Sequence, residues 1–196
     1  MSRILITVLV PLALLSVEAV ALQKPVRTVT AHVENRNRMQ TIDEMWAAAA
    51  VVIEGGFESS RPVVFSTPAN PNPSPRTAYD VRVLEVFKAD ERVREPGQTI
   101  TVRQAGGEFD RGSYIERIVP DSMPLYVVGE RYILFLRQHS LPTETFYSTS
   151  IFSAEGIFKL NGAALEAASK RDWARQLAQQ GPDGLRQMLR NRGRGR

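Results

Sequence analysis

The amino-acid sequence predicts a mainly β fold, a small barrel or sandwich followed by a helical appendage. Between Met45 and Leu160, about seven short segments, apolar or alternating, are separated by turns marked with Gly and Pro, which is the rhythm of strands. After Asn161 the composition changes to Ala, Leu, Gln and charge, with Leu165, Ala168, Trp173 and Leu177 near one helical face. The 196 residues include no cysteine. The core must therefore hold without disulfides or thiolate-bound metal, and a chain of this length can bury enough apolar surface to do so.

The elements follow in order. Residues 22–40 are polar and non-periodic, a basic lead-in expected to have no regular structure. Thr41 and the acids Asp43 and Glu44 suit a helix N-terminus, so Met45 to Ala50 predicts a short helix. Val51-Val52-Ile53 starts a strand, Gly55-Gly56 interrupts it as a bulge would, and Phe57 resumes it. Ser66 to Arg76 holds Pro68, Pro71, Pro73 and Pro75 and predicts an exposed loop.

The clearest strand comes next. Tyr79, Val81 and Val83 alternate with polar residues, then the apolar parity shifts to Leu84 and Val86, as a β-bulge produces. Pro96-Gly97 turns the chain into Thr99 to Arg103, with Ile100 and Val102 inward. Gly106-Gly107 opens another turn before a weaker strand from Tyr114 to Val119, and Pro120 to Pro124 reads as loop. Tyr132 to Leu136 is apolar on both faces, which fits a central strand. Phe146 to Phe152 and Gly156 to Leu160 complete the series. Beyond them, Asn161 to Gln180 and a second helix from Asp183 to Arg190 make up C-terminal helices over 161–190, and the basic tail 191–196 is expected to be disordered.

Charge and targeting bound the setting. Arg3, the uncharged run Ile4 to Val17 and Ala19-Val20-Ala21 form a signal peptide over 1–21, with cleavage expected before Leu22. That run is short for crossing a bilayer, which takes about 20 apolar residues. Export without cysteines favours a bacterial envelope protein, periplasmic or extracellular. Residues 22–40 carry four Lys/Arg against one acid, 41–160 twelve against sixteen, and 161–196 eight against three. Two basic ends thus flank an acidic middle. Such ends are commonly just solvated; otherwise they meet an anionic partner or fold against their own body.

The order of the segments Val51 to Phe57, Tyr79 to Lys88, Gly97 to Val102 and Gly129 to Leu136 resembles the bacterial, cysteine-poor relatives of the netrin-like domain. That domain is the OB-type barrel also found in tissue inhibitors of metalloproteinases. The resemblance covers about residues 45–160, and it implies an OB-like, netrin-like barrel over 41–160 with the helical appendage behind it. In the animal inhibitors an N-terminal cysteine chelates the target's zinc. This chain has no cysteine, so inhibitory activity does not carry over.

Chemistry is sparse. Two histidines, His32 and His139, stand far apart, and neither has the companions a zinc site without cysteine needs. Ser140 beside His139 does not make a catalytic pair by adjacency, since nucleophile and base meet through the fold. Glu108 and Asp110, at alternate positions, would share one strand face, the sole hint of a carboxylate-based hydrolase. Eight aromatics (Phe57, Tyr79, Phe87, Tyr132, Phe135, Phe146, Tyr147, Phe152) fall mostly at core-packing positions, with a stacking platform as the rival reading. Arg186, Arg190, Arg192, Arg194 and Arg196 form a candidate polyanion contact.

The expectation is an exported, non-enzymatic binding module with no cofactor, no metal and no catalytic residues, contacting a protein or an anionic envelope surface. The alternatives are a carboxylate-based hydrolase, and polyanion or nucleic-acid binding through the basic C-terminus. Export argues against nucleic acid as the partner.

Overall fold

The structure, a computed structural model, describes residues 24–31, 39–67, 70–121, 123–142, 144–149 and 153–194. Residues 1–21, expected to be a signal peptide, and His32, Phe152 and Arg196 lie outside the described residues. Its elements are β1 (Val26–Ala31), α1 (Ile42–Ala48), β2 (Val51–Thr67), β3 (Asn70–Lys88), β4 (Thr99–Ala105), β5 (Gly107–Asp110), β6 (Ile115–Pro120), β7 (Arg131–Ser140), β8 (Thr145–Ser148), β9 (Ile157–Asn161), β10 (Ala164–Ala167), α2 (Asp172–Gln179) and α3 (Gly181–Arg194). The protein is mainly β, with two of its three helices near the C-terminus.

Five strands close into a barrel in the order β2-β3-β4-β8-β7 and back to β2. All contacts are antiparallel except β4 with β8, which run parallel. A closed five-stranded barrel of this order is compatible with an OB-like barrel. On β7, β2 takes one edge, and β9 and β8 share the other along Arg131–Leu134 and Arg137–Ser140. β1, β6 and β5 form a separate three-stranded sheet.

Period-two alternation builds two apolar layers from the same strands. Inside the barrel lie Ile53, Phe57, Tyr79, Val81, Val83, Ile100, Val102, Tyr132, Leu134, Leu136 and Tyr147. Outside it, Val52, Ile133, Phe135 and Phe158 meet Met45 and Trp46 of α1, Leu177 of α2, and Leu185 and Leu189 of α3. This explains why Tyr132–Leu136 is apolar on both faces: one face fills the barrel and the other receives the helices. Each fully buried side chain of this size contributes roughly 1.5–3 kcal/mol.

Local chemistry fixes the joints. Thr41 caps α1, its hydroxyl accepting from the Glu44 N–H at 3.2 Å. At the other end, the Lys88 ammonium donates to the carbonyls of Trp46 (2.6 Å) and Ala49 (2.5 Å), which pins α1 to β3. The bulge foreseen after Val83 is present: Glu54 faces Glu85 and Gly55 faces Val83, so Leu84 is skipped and left 40% exposed. Leu84 is therefore extruded rather than turned inward.

Four expectations are corrected. The lead-in is not without structure, because Val26–Ala31 pairs in parallel with Ile115–Pro120, a distant partner that overrides the polar local sequence. Ser66–Arg76 is not a loop, since β2 and β3 run on as a two-stranded ribbon and only residues 68–69 lie between them. The prolines are tolerated for a geometric reason. Pro75 faces Val64, and its carbonyl accepts from the Gly106 N–H, so its backbone points away from β2 and no β2–β3 bond needs the missing donor. Asn161–Ala167 is a hairpin rather than helix, with Gly162 at φ +59° in a two-residue turn. Finally, the second C-terminal helix does not stop at Arg190 and 191–194 is not disordered: α3 runs on to Arg194, with Arg192 ion-paired to Asp43 of α1.

Candidate binding face of the barrel

The C-terminal arginines fold against the acidic body. Arg186 donates to Glu54 and Asp183 at 2.8 Å each, Arg190 holds both oxygens of Glu85 at 2.6 and 2.8 Å, and Arg192 pairs with Asp43. Arg194 is exposed. Glu54 is the focus of this layer, because it is 2% exposed in mid-strand and is also bonded by Arg131. Burial pushes its carboxyl pKa up, but the hydrogen bonds and charges of Arg186 and Arg131 outweigh burial and hold it below the ordinary value.

Glu108 and Asp110 do share a face of β5, but they point to solvent. Each has its own cation, Arg117 for Glu108 and Lys24 for Asp110, both at 2.5 Å. The Lys24 hydrogen bond holds Asp110 below its ordinary pKa, opposite to the shift a general acid requires. The described aromatics pack as expected. Phe57, Tyr79, Tyr126 and Tyr132 form a ring cluster inside the barrel with centroids 4.5–5.4 Å apart, and burial pushes the Tyr79 hydroxyl up to about 12.

A different constellation appears on the outward face of β4 and β8, the two barrel strands with no residue in the helix-covered layer. Val102 and Tyr147 point inward, so their neighbours Arg103, Phe146 and Ser148 point outward. The Arg103 guanidinium lies 4.3 Å from the centre of the Phe146 ring, a cation–π contact. His139, paired across the ladder with Phe146, stacks on it at 5.0 Å with planes 9° apart. Its Nε2 is 2.8 Å from the Ser148 hydroxyl. Ser148 is only 1% exposed, so this bond orients the imidazole and offers no nucleophile to a substrate. Burial lowers the His139 pKa, as do Arg137 and Arg76, which keeps the ring neutral at pH 7.

Arg103 also binds Glu144, its Nη2 donating to both carboxylate oxygens at 2.6 Å. Sequence reasoning missed Arg103, Phe146, Ser148 and Glu144 as a group. Arg103 could be read as the outward position of an alternating strand. Its partners, however, lie about forty residues on and meet it only through the parallel β4–β8 contact. Among the described residues, no group of three or more His, Asp or Glu could hold a metal ion, and no helix is long and apolar enough to cross a membrane.

The class defined by the fold is a closed five-stranded β-barrel, with a buried guanidinium–aromatic cluster on the outer side of its wall. The chain matches no protein-family model and no curated protein sequence.

Proposed function

We propose that this chain is an exported, non-enzymatic binding module whose barrel contacts a protein or envelope-surface partner. The observation that carries the reading is the Arg103–Phe146–His139 face. It combines a guanidinium, an aromatic ring and an imidazole on the barrel side that the helices do not use. Arg103 and Phe146 are themselves buried, and the half-buried His139 and exposed Glu144 form the approach from solvent. Arg and aromatic side chains are the groups that dominate binding energy at protein interfaces. The netrin-like kinship belongs to the same proposal, supported by the closed barrel with helices packed on one outer side. Export rests on the Ala19-Val20-Ala21 processing pattern.

The test uses the purified chain, cross-linked at low salt in an envelope extract. A component captured by the parent protein and lost in the double variant Arg103→Gln/His139→Gln supports the proposal. Capture that is indifferent to both substitutions, with the variant still folded by circular dichroism, refutes it.

A further inference from the structure

Arg103 sits at an outward strand position, and yet its side chain is only 9% exposed. A guanidinium carries five N–H donors in a rigid fork, and a matched carboxylate uses two of its nitrogens in parallel. Here one nitrogen does all the work toward Glu144. Nη2 donates to both oxygens, while the buried Nε–H has no acceptor among the described residues. The fork is half used, and a buried donor is left over.

Glu144 is the loosely held partner. Its side chain is 41% exposed, and it ends a tight turn in which Leu141 and Glu144 exchange backbone hydrogen bonds of 2.8 and 3.3 Å. Withdrawing it to solvent breaks its two hydrogen bonds to the buried Arg103 guanidinium, which an incoming carboxylate has to replace. The surroundings favour a replacement of the same charge. Arg103 lies close enough to Arg76 on β3, and Arg76 and Arg137 on β7 close enough to His139, for the charge of each to be felt by its neighbour, and such a gathering of cations attracts anions.

Resting on the binding reading above, we infer that Arg103 is a carboxylate-docking residue. An acidic side chain from a peptide segment of the partner protein takes the seat that Glu144 fills in the free chain, engaging Nε and Nη2 together. Glu144 is then an internal competitor that lowers affinity for weaker acidic segments. A peptide carboxylate is the occupant because the seat already holds one, presented from a peptide turn between a guanidinium and an aromatic wall. Specificity follows from the same geometry, since only a carboxylate that satisfies the orphaned Nε–H gains over Glu144.

The experiment titrates the chain with a short glutamate-rich peptide, followed by calorimetry and by the amide resonances of β4 and β8. Glu144→Gln should tighten binding about tenfold, because the competitor loses its charge while its isosteric side chain keeps the shape of the site. Adding Arg103→Lys to that variant should reverse the gain, since lysine keeps the charge but loses the fork. Circular dichroism verifies folding of both. Unchanged affinity in Glu144→Gln, or full affinity with Lys at 103, overturns the inference. So does Arg103-dependent binding to phosphatidylglycerol vesicles with none to the peptide, which would assign the seat to a lipid phosphate. Envelope capture separates the two proposals. If capture still depends on Arg103 and His139 while the peptide fails, the binding module stands and the acidic segment falls. If the peptide behaves as stated and capture ignores both residues, Arg103 accepts carboxylates without serving the captured partner, and both proposals fall.

Discussion

Two residues show how closely single side chains are specified. Gly107 has φ +124°, and a Cβ there would sit 1.8 Å from the Thr77 hydroxyl oxygen, which itself donates to the Gly106 carbonyl at 2.7 Å. Gly107→Ala combines left-handed strain with a backbone-adjacent clash, so it should cost at least about 2 kcal/mol. Urea denaturation measures this, and a midpoint equal to the parent's would show that the β4–β5 corner is soft. Glu54 makes the electrostatic case. Its pKa in the fold lies below the ordinary value of 4.5. The stabilisation is therefore complete above that pH and is lost as pH falls through the folded value. Glu54→Gln should cost about 2 kcal/mol at pH 7, discounted because Arg131 is largely exposed. The gap to the parent should close on acidification below pH 4.5. A gap that stays constant with pH would mean that the cost is packing alone.

Among the elements, the β2–β3 ribbon carries the clearest hazard. β2 pairs with β7 only as far as Gly56, so the edge of β2 from Ser59 to Thr67 has no partner strand among the described residues. Unpaired edges of this kind recruit other chains. Proline blunts this one. Pro62 faces Thr77 in the same continuous register as the Val64–Pro75 pair, so its ring nitrogen also points away from the neighbouring strand and onto the free edge. Pro62→Val restores a donor in a run already rich in β-branched residues, beside Val64, which is 70% exposed. Size-exclusion chromatography should show concentration-dependent dimers or larger species, and a strictly monomeric variant would show that the ribbon is protected by other means.

At the scale of the whole molecule, barrel and helices share strands and should unfold together. β2 and β7 each contribute to both apolar layers, so loss of α3 uncovers Phe87, Phe135 and Phe158 on the outside of the barrel wall. Leu185 of α3 is fully buried in that layer. Leu185→Ala should cost about 3 kcal/mol. The helical signal at 222 nm and tyrosine fluorescence should still report one coincident transition in parent and variant. A separate early loss of helix would show that α3 is held mainly by its ion pairs with Glu54, Glu85 and Asp43, and raising salt would then advance it.

Local pattern carried a large share of this architecture. Alternation placed Ile100 and Val102 inside, the parity shift marked the bulge at Leu84, and two-faced apolar character identified β7 as central, because burial and period two act on neighbouring residues. Thr41 and its following acids located α1 for the same local reason. What the chain alone left undetermined was pairing at a distance. The partnership of β1 with β6, the survival of strand geometry through Pro75, and the hairpin at Gly162 each depend on a neighbour that sequence proximity does not supply. The candidate face lies wholly in that second category. Arg103, His139, Phe146 and Glu144 are unremarkable one by one, and only barrel closure through the β4–β8 and β7–β8 contacts brings a guanidinium, two rings and a carboxylate into one place.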